Sequence, residues 1–444
     1  MKRPFSNARG LILKTLAALA ALACAPSHAS LPIEHWVAPS GARVYFVRAP
    51  SIPILDLSVS FDAGARFDPR ERIGLAALTN SMLAKGAAGM DEAAIAEAFA
   101  EVGAQRGGGA GDDRASVTLR TLASARELEA SVALVEKILS EPGFPAQVLA
   151  REKERLSQSL RESLTKPETI ARRAFGELVY PGHPYGWHAT PETVAAITRD
   201  DLLAFYRANY AASRAVVALI GDVSRAQAEA IAARLTAKLP AGKPAPQVPA
   251  VAAVKAVERR IDHPATQSHI LIGTPGFAWG DPDHFALVVG NYVLGGGGFV
   301  SRLYDEVREK RGLAYSVYSY FSPALQPGPF TVGLQTQREQ TDVALAVTRE
   351  TLERFVAGGP TEQELAAAKS NLVGGFALRI DSNRKILDNL ATIGFYRLPL
   401  DYLDRYTERV EAVTVAQVRE AFARRLRIDS LVTVVVGAGG GPAK

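Results

Sequence analysis

The chain has 444 residues, 48% of them hydrophobic and 22% charged, which suits a globular protein of two or more domains with filled cores. Its formal net charge is +5, and Lys2, Arg3, Arg9 and Lys14 at the extreme N-terminus supply four of those positive charges. The remainder is close to neutral and carries no basic stripe of the kind that binds nucleic acid.

The same four basic residues open a leader. Leu16 to Ala23 is a short apolar run, and Ser27-His28-Ala29 fits a small-x-small cleavage site before Ser30. Residues 1–29 therefore read as a secretory signal peptide, too short to span a bilayer, and the expected address is a bacterial-type periplasm. Cys24, the only cysteine, opens the alternative of a lipoprotein acylated there, although Ala21-Leu22-Ala23 matches a lipobox poorly. The mature chain has no thiol and needs no disulfide chemistry in an oxidising compartment. No later apolar run is long enough for a transmembrane segment.

Beyond the leader, Val44–Val47 and Leu55–Phe61 read as strands, Ile73–Lys85 and Met90–Val102 as helices, Ser116–Leu122 as a strand and Ser124–Ser140 as a long helix. Gly107 to Gly111, interrupted only by Ala110, reads as a loop, either a hairpin loop or a flexible one beside a chamber. The acids between Glu152 and Glu162 read as the solvated face of a helix. Asp200–Asn209 is another helix, with Leu202 and Tyr206 toward the core. Leu239 to Val254 has four prolines and no periodicity, and marks a linker over residues 239–256.

That linker separates two similar halves. Ile197-Thr198 opens a segment ending in Val216-Val217-Ala218-Leu219-Ile220-Gly221, and Val413-Thr414 opens one ending in Val432-Thr433-Val434-Val435-Val436-Gly437; the two align without a gap. In each, a threonine N-cap starts an amphipathic helix that leads to a β-branched or apolar strand closed by glycine. An internal duplication is the simplest account. The expected fold is α+β, with two homologous lobes over residues 30–238 and 257–444, each an antiparallel-rich sheet packed with helices.

The segment Leu294-Gly295-Gly296-Gly297-Gly298-Phe299-Val300-Ser301-Arg302-Leu303, followed by Arg308-Glu309-Lys310-Arg311-Gly312-Leu313-Ala314-Tyr315, resembles the C-terminal-half signature of the pitrilysin/insulysin/mitochondrial processing peptidase family. It is not a P-loop, because no Gly-Lys-Ser/Thr follows. Ala63-Gly64-Ala65-Arg66, Gly74-Leu75-Ala76 and Met82-Leu83-Ala84-Lys85-Gly86 resemble the N-terminal block of the same family, and His183-Pro184-Tyr185-Gly186 falls where that family has similar residues. The resemblance covers nearly the whole mature chain.

The departure lies between those N-terminal anchors. Inverted zincins carry H-x-x-E-H on a helix, with two histidines four apart for zinc and a glutamate for the attacking water. Here the five positions read Ala77-Leu78-Thr79-Asn80-Ser81. Ala77 cannot ligate, Asn80 cannot take a proton at neutral pH, and Ser81 is a poor zinc ligand. The third ligand's place falls on Gln158 or Ser159. His183 with His188, and His263 with His269, lack ligand-like spacing, and no G-x-S-x-G elbow supports a serine nucleophile. The chain is expected to hold no metal or other cofactor.

Arg308 and Tyr315 match a family pair that reaches across to the zinc site, where a cation and a hydroxyl stabilise the oxyanion formed on a peptide carbonyl. By spacing alone, Arg308 would instead pair with an acid on its helix and Tyr315 would fill a core. The resemblance implies a non-catalytic subunit that associates with a zinc-bearing homologous subunit, supplies Arg308 and Tyr315 to its site, and helps bind extended or unfolded peptides. Gly296, Gly297 and Gly298 are candidates for close backbone approach to that substrate. The competing reading is a non-enzymatic scaffold acting as a homodimer; an active peptidase with unfamiliar ligands has little support.

Overall fold

The sheets follow from where apolar strands are covered on one face or on both. The computed structural model describes residues 31–242 and 245–437. The first half contributes β1 (Glu34–Val37), β2 (Arg43–Arg48), β3 (Ile54–Phe61), β4 (Gly86–Ala87), β5 (Met90–Asp91), β6 (Gln105–Ala110), β7 (Ala115–Leu122) and β8 (Ala215–Gly221). Its helices are α1 (Leu75–Met82), α2 (Glu92–Glu101), α3 (Ala125–Ser140), α4 (Ala146–Ser163), α5 (Pro167–Val179), α6 (Pro191–Ala196), α7 (Arg199–Asn209) and α8 (Arg225–Ala237).

The second half contributes β9 (Val257–Asp262), β10 (Gln267–Pro275), β11 (Val317–Phe321), β12 (Pro329–Gln337) and β13 (Val432–Gly437). Its helices are α9 (His284–Asn291), α10 (Thr341–Gly358), α11 (Glu362–Gly374), α12 (Asn383–Tyr396), α13 (Tyr406–Glu411) and α14 (Val415–Arg425). The described residues between 239 and 256 form neither helix nor strand.

The first sheet runs β1-β2-β8-β3-β7-β6 and the second β9-β13-β10-β12-β11. Apart from β1, the orders correspond strand for strand, and the single parallel pair recurs at the same place, β2 with β8 and β9 with β13. Repeated topology of this kind is what a duplicated sequence produces. The fold is therefore α+β with two homologous lobes, as the sequence implies.

The lobes exchange helices. Helix α5, from the first half, lies on β10 and β13 of the second sheet; α12, from the second half, lies on β8, β3 and β2 of the first. Val432, Val434 and Val436 of β13 pack with Ala171, Ala174 and Phe175 of α5, while Val435 points into the second lobe's main core. Strand β13 is thus covered on both faces, which is why it reads as a nearly continuous apolar run, interrupted by Thr433. Glycine permits both close approaches: a Cβ on Gly394 of α12 would sit 2.6 Å from Val216 Cγ1 and 2.7 Å from Tyr45 Cε2, and one on Gly273 of β10 would sit 2.8 Å from Phe175 Cζ. The described residues from Ile33 onward form one compact unit.

Three expectations change. Gly107, Gly108 and Gly109 are not a loop but part of edge strand β6, paired with β7. Gly108 has φ +133°, and a Cβ there would meet the Ser116 carbonyl oxygen at 2.1 Å, so this strand position requires glycine. The helix expected over 73–85 is confined to α1, and Met90–Asp91 pairs as a strand before α2 begins. The leader expected over 1–29, with Cys24, lies outside the described residues. Among those described, no helix is long and apolar enough to cross a membrane.

Candidate functional site

Helix α1 carries the degenerate metal motif. It starts after Gly74, whose φ is +107°, and Asp68 accepts hydrogen bonds from the amides of Gly74 and Ala76, both at 2.8 Å. These bonds satisfy amides that a helix start leaves free. Ala77 and Ser81 lie one turn apart on the exposed face of α1. Ser81 Oγ donates to the Leu78 carbonyl at 2.9 Å. Asn80 is buried, and its Nδ2 donates to the Ser116 carbonyl and the Tyr210 hydroxyl, each at 3.2 Å. A methyl group, a hydroxyl turned to its own helix and an amide committed to the core do not fit zinc.

Helix α4 does not make up the deficit. Gln158 and Ser159 are exposed and are not zinc ligands by type. Glu152 overturns the solvated-face expectation: it is buried, bound by Arg155 at 2.7 Å and Arg151 at 3.2 Å, with Lys85 at 3.6 Å. A carboxylate held by three cations is a structural anchor. Glu154, by contrast, is exposed and 3.8 Å from Arg161. His183 is tied to the Pro249 carbonyl at 3.0 Å and His263 to the Thr165 carbonyl at 3.0 Å. Among the described residues, no group of three or more His, Cys, Asp or Glu could hold a metal ion.

The glycine run of the second half has a packing reason. A Cβ on Gly295 would meet Ser319 Oγ at 2.5 Å, one on Gly296 would meet Asn291 Nδ2 at 2.6 Å, and one on Gly297 the Tyr292 carbonyl oxygen at 2.6 Å. Asn291 and Ser319 are themselves joined, Ser319 Oγ donating to Asn291 Oδ1 at 2.7 Å. The run thus seats the end of α9 against β11. Gly298, by contrast, is open on its Cβ side. Two cavities, one bordered by Arg114 and Tyr318 and the other by Trp279 and Tyr402, are lined by none of Gly296, Gly297 and Gly298.

Arg308 and Tyr315 do come together. The Arg308 guanidinium lies 5.0 Å from the Tyr315 ring centroid and 4.7 Å from that of Tyr304, both within cation–π distance. Tyr315 is 82% exposed and belongs to no strand. Arg308 makes no ion pair among the described residues. Beside them Phe299 and Val300 are 76% and 74% exposed, and Phe299 packs edge-on to Tyr304. An unpaired cation and a phenol are therefore held at the surface together with apolar side chains.

Sequence reading missed the hub that joins the lobes. Asp113, in the turn between β6 and β7, is buried. It accepts from the Tyr185 hydroxyl at 2.6 Å, the Leu325 amide at 2.8 Å and the Tyr396 hydroxyl at 3.2 Å, and it pairs with Arg66 at 3.3 Å. Arg66 also binds Asp62. Gly64 lets this turn close, since a Cβ there would lie 2.2 Å from the Asp112 carbonyl oxygen. The motif residues Gly64, Arg66 and Tyr185 were visible in the sequence; nothing in their spacing points to Asp113. Beside the hub lies a cavity of about 980 Å³ between β6, α5 and the β10-β12-β11 edge of the second sheet.

The chain is thus a two-lobed α+β body with an arginine and a tyrosine held together at its surface and, among the described residues, no cluster of metal-ligating side chains. Residues 43–189 match the insulinase (peptidase family M16) model and residues 196–372 the peptidase M16 inactive domain model. A crystal structure of a peptidase M16 inactive domain from Pseudomonas fluorescens is similar at 38% identity and TM-score 0.89, covering 93% of this chain and 100% of that one. The periplasmic protease PqqL from Escherichia coli shares the fold at 17% identity and TM-score 0.78, over 92% of this chain and 45% of that one. Among curated relatives, an uncharacterized zinc protease of Streptomyces coelicolor is 33% identical over 241 residues, 52% of this chain, which thus spans about half (51%) of that relative. The uncharacterized zinc protease YmxG of Bacillus subtilis is 24% identical over 92% of this chain and 99% of its own. The chain belongs to peptidase family M16.

Proposed function

We propose that this chain is the zinc-less subunit of a two-chain M16 peptidase. It presents Arg308 and Tyr315 to the active site of a zinc-bearing homologous subunit and helps hold an extended peptide there. The zinc belongs to that partner, and the chain alone turns over no peptide. The observation that carries this reading is the placement of Arg308 and Tyr315: stacked on each other, outside every core, unpaired and next to exposed Phe299 and Val300. A buried tyrosine or an arginine tied to a carboxylate would have had a sufficient local reason to exist. At a peptide carbonyl under attack, the same two groups oppose developing negative charge.

Peptide holding is supported by β6, which ends its sheet with an unpaired outer edge among the described residues and carries three glycines that leave the backbone accessible. A peptide added to such an edge is bound through its main chain. Gly298 and its neighbours Gly296 and Gly297, beside Phe299, border the same surface as Arg308. Export to a periplasm completes the proposal and rests on the leader.

The exposed Phe299, Val300 and Tyr315 would also suit a second copy of this chain, which is the scaffold alternative. Co-expression of the mature chain with a zinc-bearing relative from the same source separates the two. The proposal expects a stable one-to-one pair with zinc in the relative and peptidase activity above that of either chain alone. A homodimer that ignores the relative and adds nothing to its activity supports the scaffold instead.

A further inference from the structure

Two arginines without ion-pair partners among the described residues line the cavity beside the hub. Arg114 lines it with Nη1 buried and without an acceptor, its guanidinium 5.7 Å from the Phe395 ring and 6.0 Å from the Tyr396 ring. Arg172, one turn after Glu168 on α5, also lines it and forms no ion pair among the described residues. His188 lines it too, with Nε2 buried and unpartnered; burial, and then neighbouring Arg173, push its pKa down. Buried polar groups of a folded protein are expected to find partners, and the orphaned guanidinium nitrogen of Arg114 calls for an acceptor.

The carboxylates present do not supply it. Asp113 is spent on Arg66, Tyr185, Tyr396 and the Leu325 amide. Asp112 and Glu168 also line the cavity, and neither forms an ion pair with Arg114 or Arg172. On the opposite wall Tyr318 and Tyr320 stack at 5.9 Å and 18°, each 43% exposed. They offer a flat platform with a cation near its edge.

We infer that this cavity receives the C-terminal residue of an extended peptide, its free carboxylate on Arg114 and Arg172, its main-chain N–H on Asp112 and its side chain on the Tyr318–Tyr320 platform. About 980 Å³ is far more than an inorganic anion fills and is of the size that receives a small organic group. Gly109 and Ala110 of β6 border the cavity, so a chain lying along that edge comes within reach of it. The inference rests on the peptide-holding reading above and adds a polarity and an end-group requirement to it.

The test uses the mature chain and a short unstructured peptide ending in Leu-Phe, as free acid and as C-terminal amide, with binding read by fluorescence anisotropy. The acid is expected to bind at least about tenfold tighter than the amide, the scale of a charge-assisted hydrogen bond. Arg172→Gln, at an exposed position, removes that difference by weakening the acid. Arg114→Gln does the same, and its circular dichroism shows whether the packing over Phe395 survives. Equal binding of acid and amide to the parent chain overturns the end-group site and leaves peptide holding standing. Binding of neither peptide overturns both. Inorganic phosphate or acetate displacing the acid peptide at concentrations comparable with the peptide's own overturns the peptide-end assignment in favour of a free anion.

Discussion

Replacing Asp113 by alanine should cost this protein a large part of its stability. The side chain is buried and serves donors from both halves: Tyr185 at 2.6 Å, Leu325 N at 2.8 Å, Tyr396 at 3.2 Å and Arg66 at 3.3 Å. Arg66 keeps Asp62, so its charge is not abandoned. The three other donors lose their acceptor, at about 1–3 kcal/mol for each left dry. The tyrosine hydroxyls can turn toward water admitted to the vacated space, whereas the amide cannot. The expected loss is about 3–5 kcal/mol, the range seen when one member of a buried charged network is removed. Domains are stable by about 5–15 kcal/mol, so the variant should unfold at visibly lower urea concentration with an unchanged m-value. Asp112→Ala is the control; that side chain has no hydrogen-bond partner among the described residues, and burial with neighbouring Asp113 pushes its pKa up to about 6, so its loss should not destabilise the fold. A loss below about 1 kcal/mol for Asp113→Ala would show that the hub does not hold the lobes together.

The exchange of α5 and α12 predicts a single unfolding transition seen identically by tryptophan fluorescence and circular dichroism; two separated transitions would contradict the interlock. Residues 257–437 expressed alone lack α5 and should be insoluble or partly folded, since the Val432, Val434 and Val436 face of β13 is then uncovered. Gly394→Val places methyl groups where Val216 and Tyr45 already pack and should destabilise by about 2–3 kcal/mol by urea titration. His284 is buried, bonded to the Tyr402 hydroxyl at 3.0 Å, and burial pushes its pKa down to about 4. The unfolded chain therefore binds a proton, near its ordinary pKa of about 6.5, that the folded chain refuses. The resulting stabilisation is complete above pH 6.5 and is lost as pH falls toward 4. It amounts to on the order of 3 kcal/mol, and His284→Phe should flatten that part of the Tm-against-pH curve.

Much of the architecture was legible because it depends on local pattern. Strands β8 and β13 are apolar on both faces and stand out in any window, and the aligned segments that contain them reveal the duplication. The exchange of helices was not legible: Ala171, Ala174 and Phe175 mark the buried face of α5, yet periodicity tells which face is buried and not which sheet buries it. Glycine usually punctuates structure, so Gly107–Gly109 read as a loop, and only the cross-strand approach of Gly108 to Ser116 shows why a strand needs it there. Glu152 read as solvated because charge normally seeks water; three cations folded around it reverse that preference. At the site, the loss of ligands at Ala77, Asn80 and Ser81 followed from residue type alone. That Arg308 stacks on Tyr315 at the surface depends on the bend between the π-helical turn Tyr304–Glu309 and β11, which sequence spacing does not encode.

The most direct test of the proposed role is the turnover of the assembled pair with Arg308 altered. The mature chain, wild type or carrying Arg308→Ala or Tyr315→Phe, is combined with its zinc-bearing relative, and kcat and KM are measured on an unstructured peptide alongside pair formation by gel filtration. Loss of one oxyanion-stabilising group should lower kcat by about 10²–10³ for Arg308→Ala, with a smaller fall for Tyr315→Phe and both pairs still assembled. Unchanged kcat in an intact pair for both variants would contradict the claim that this chain completes its partner's active site.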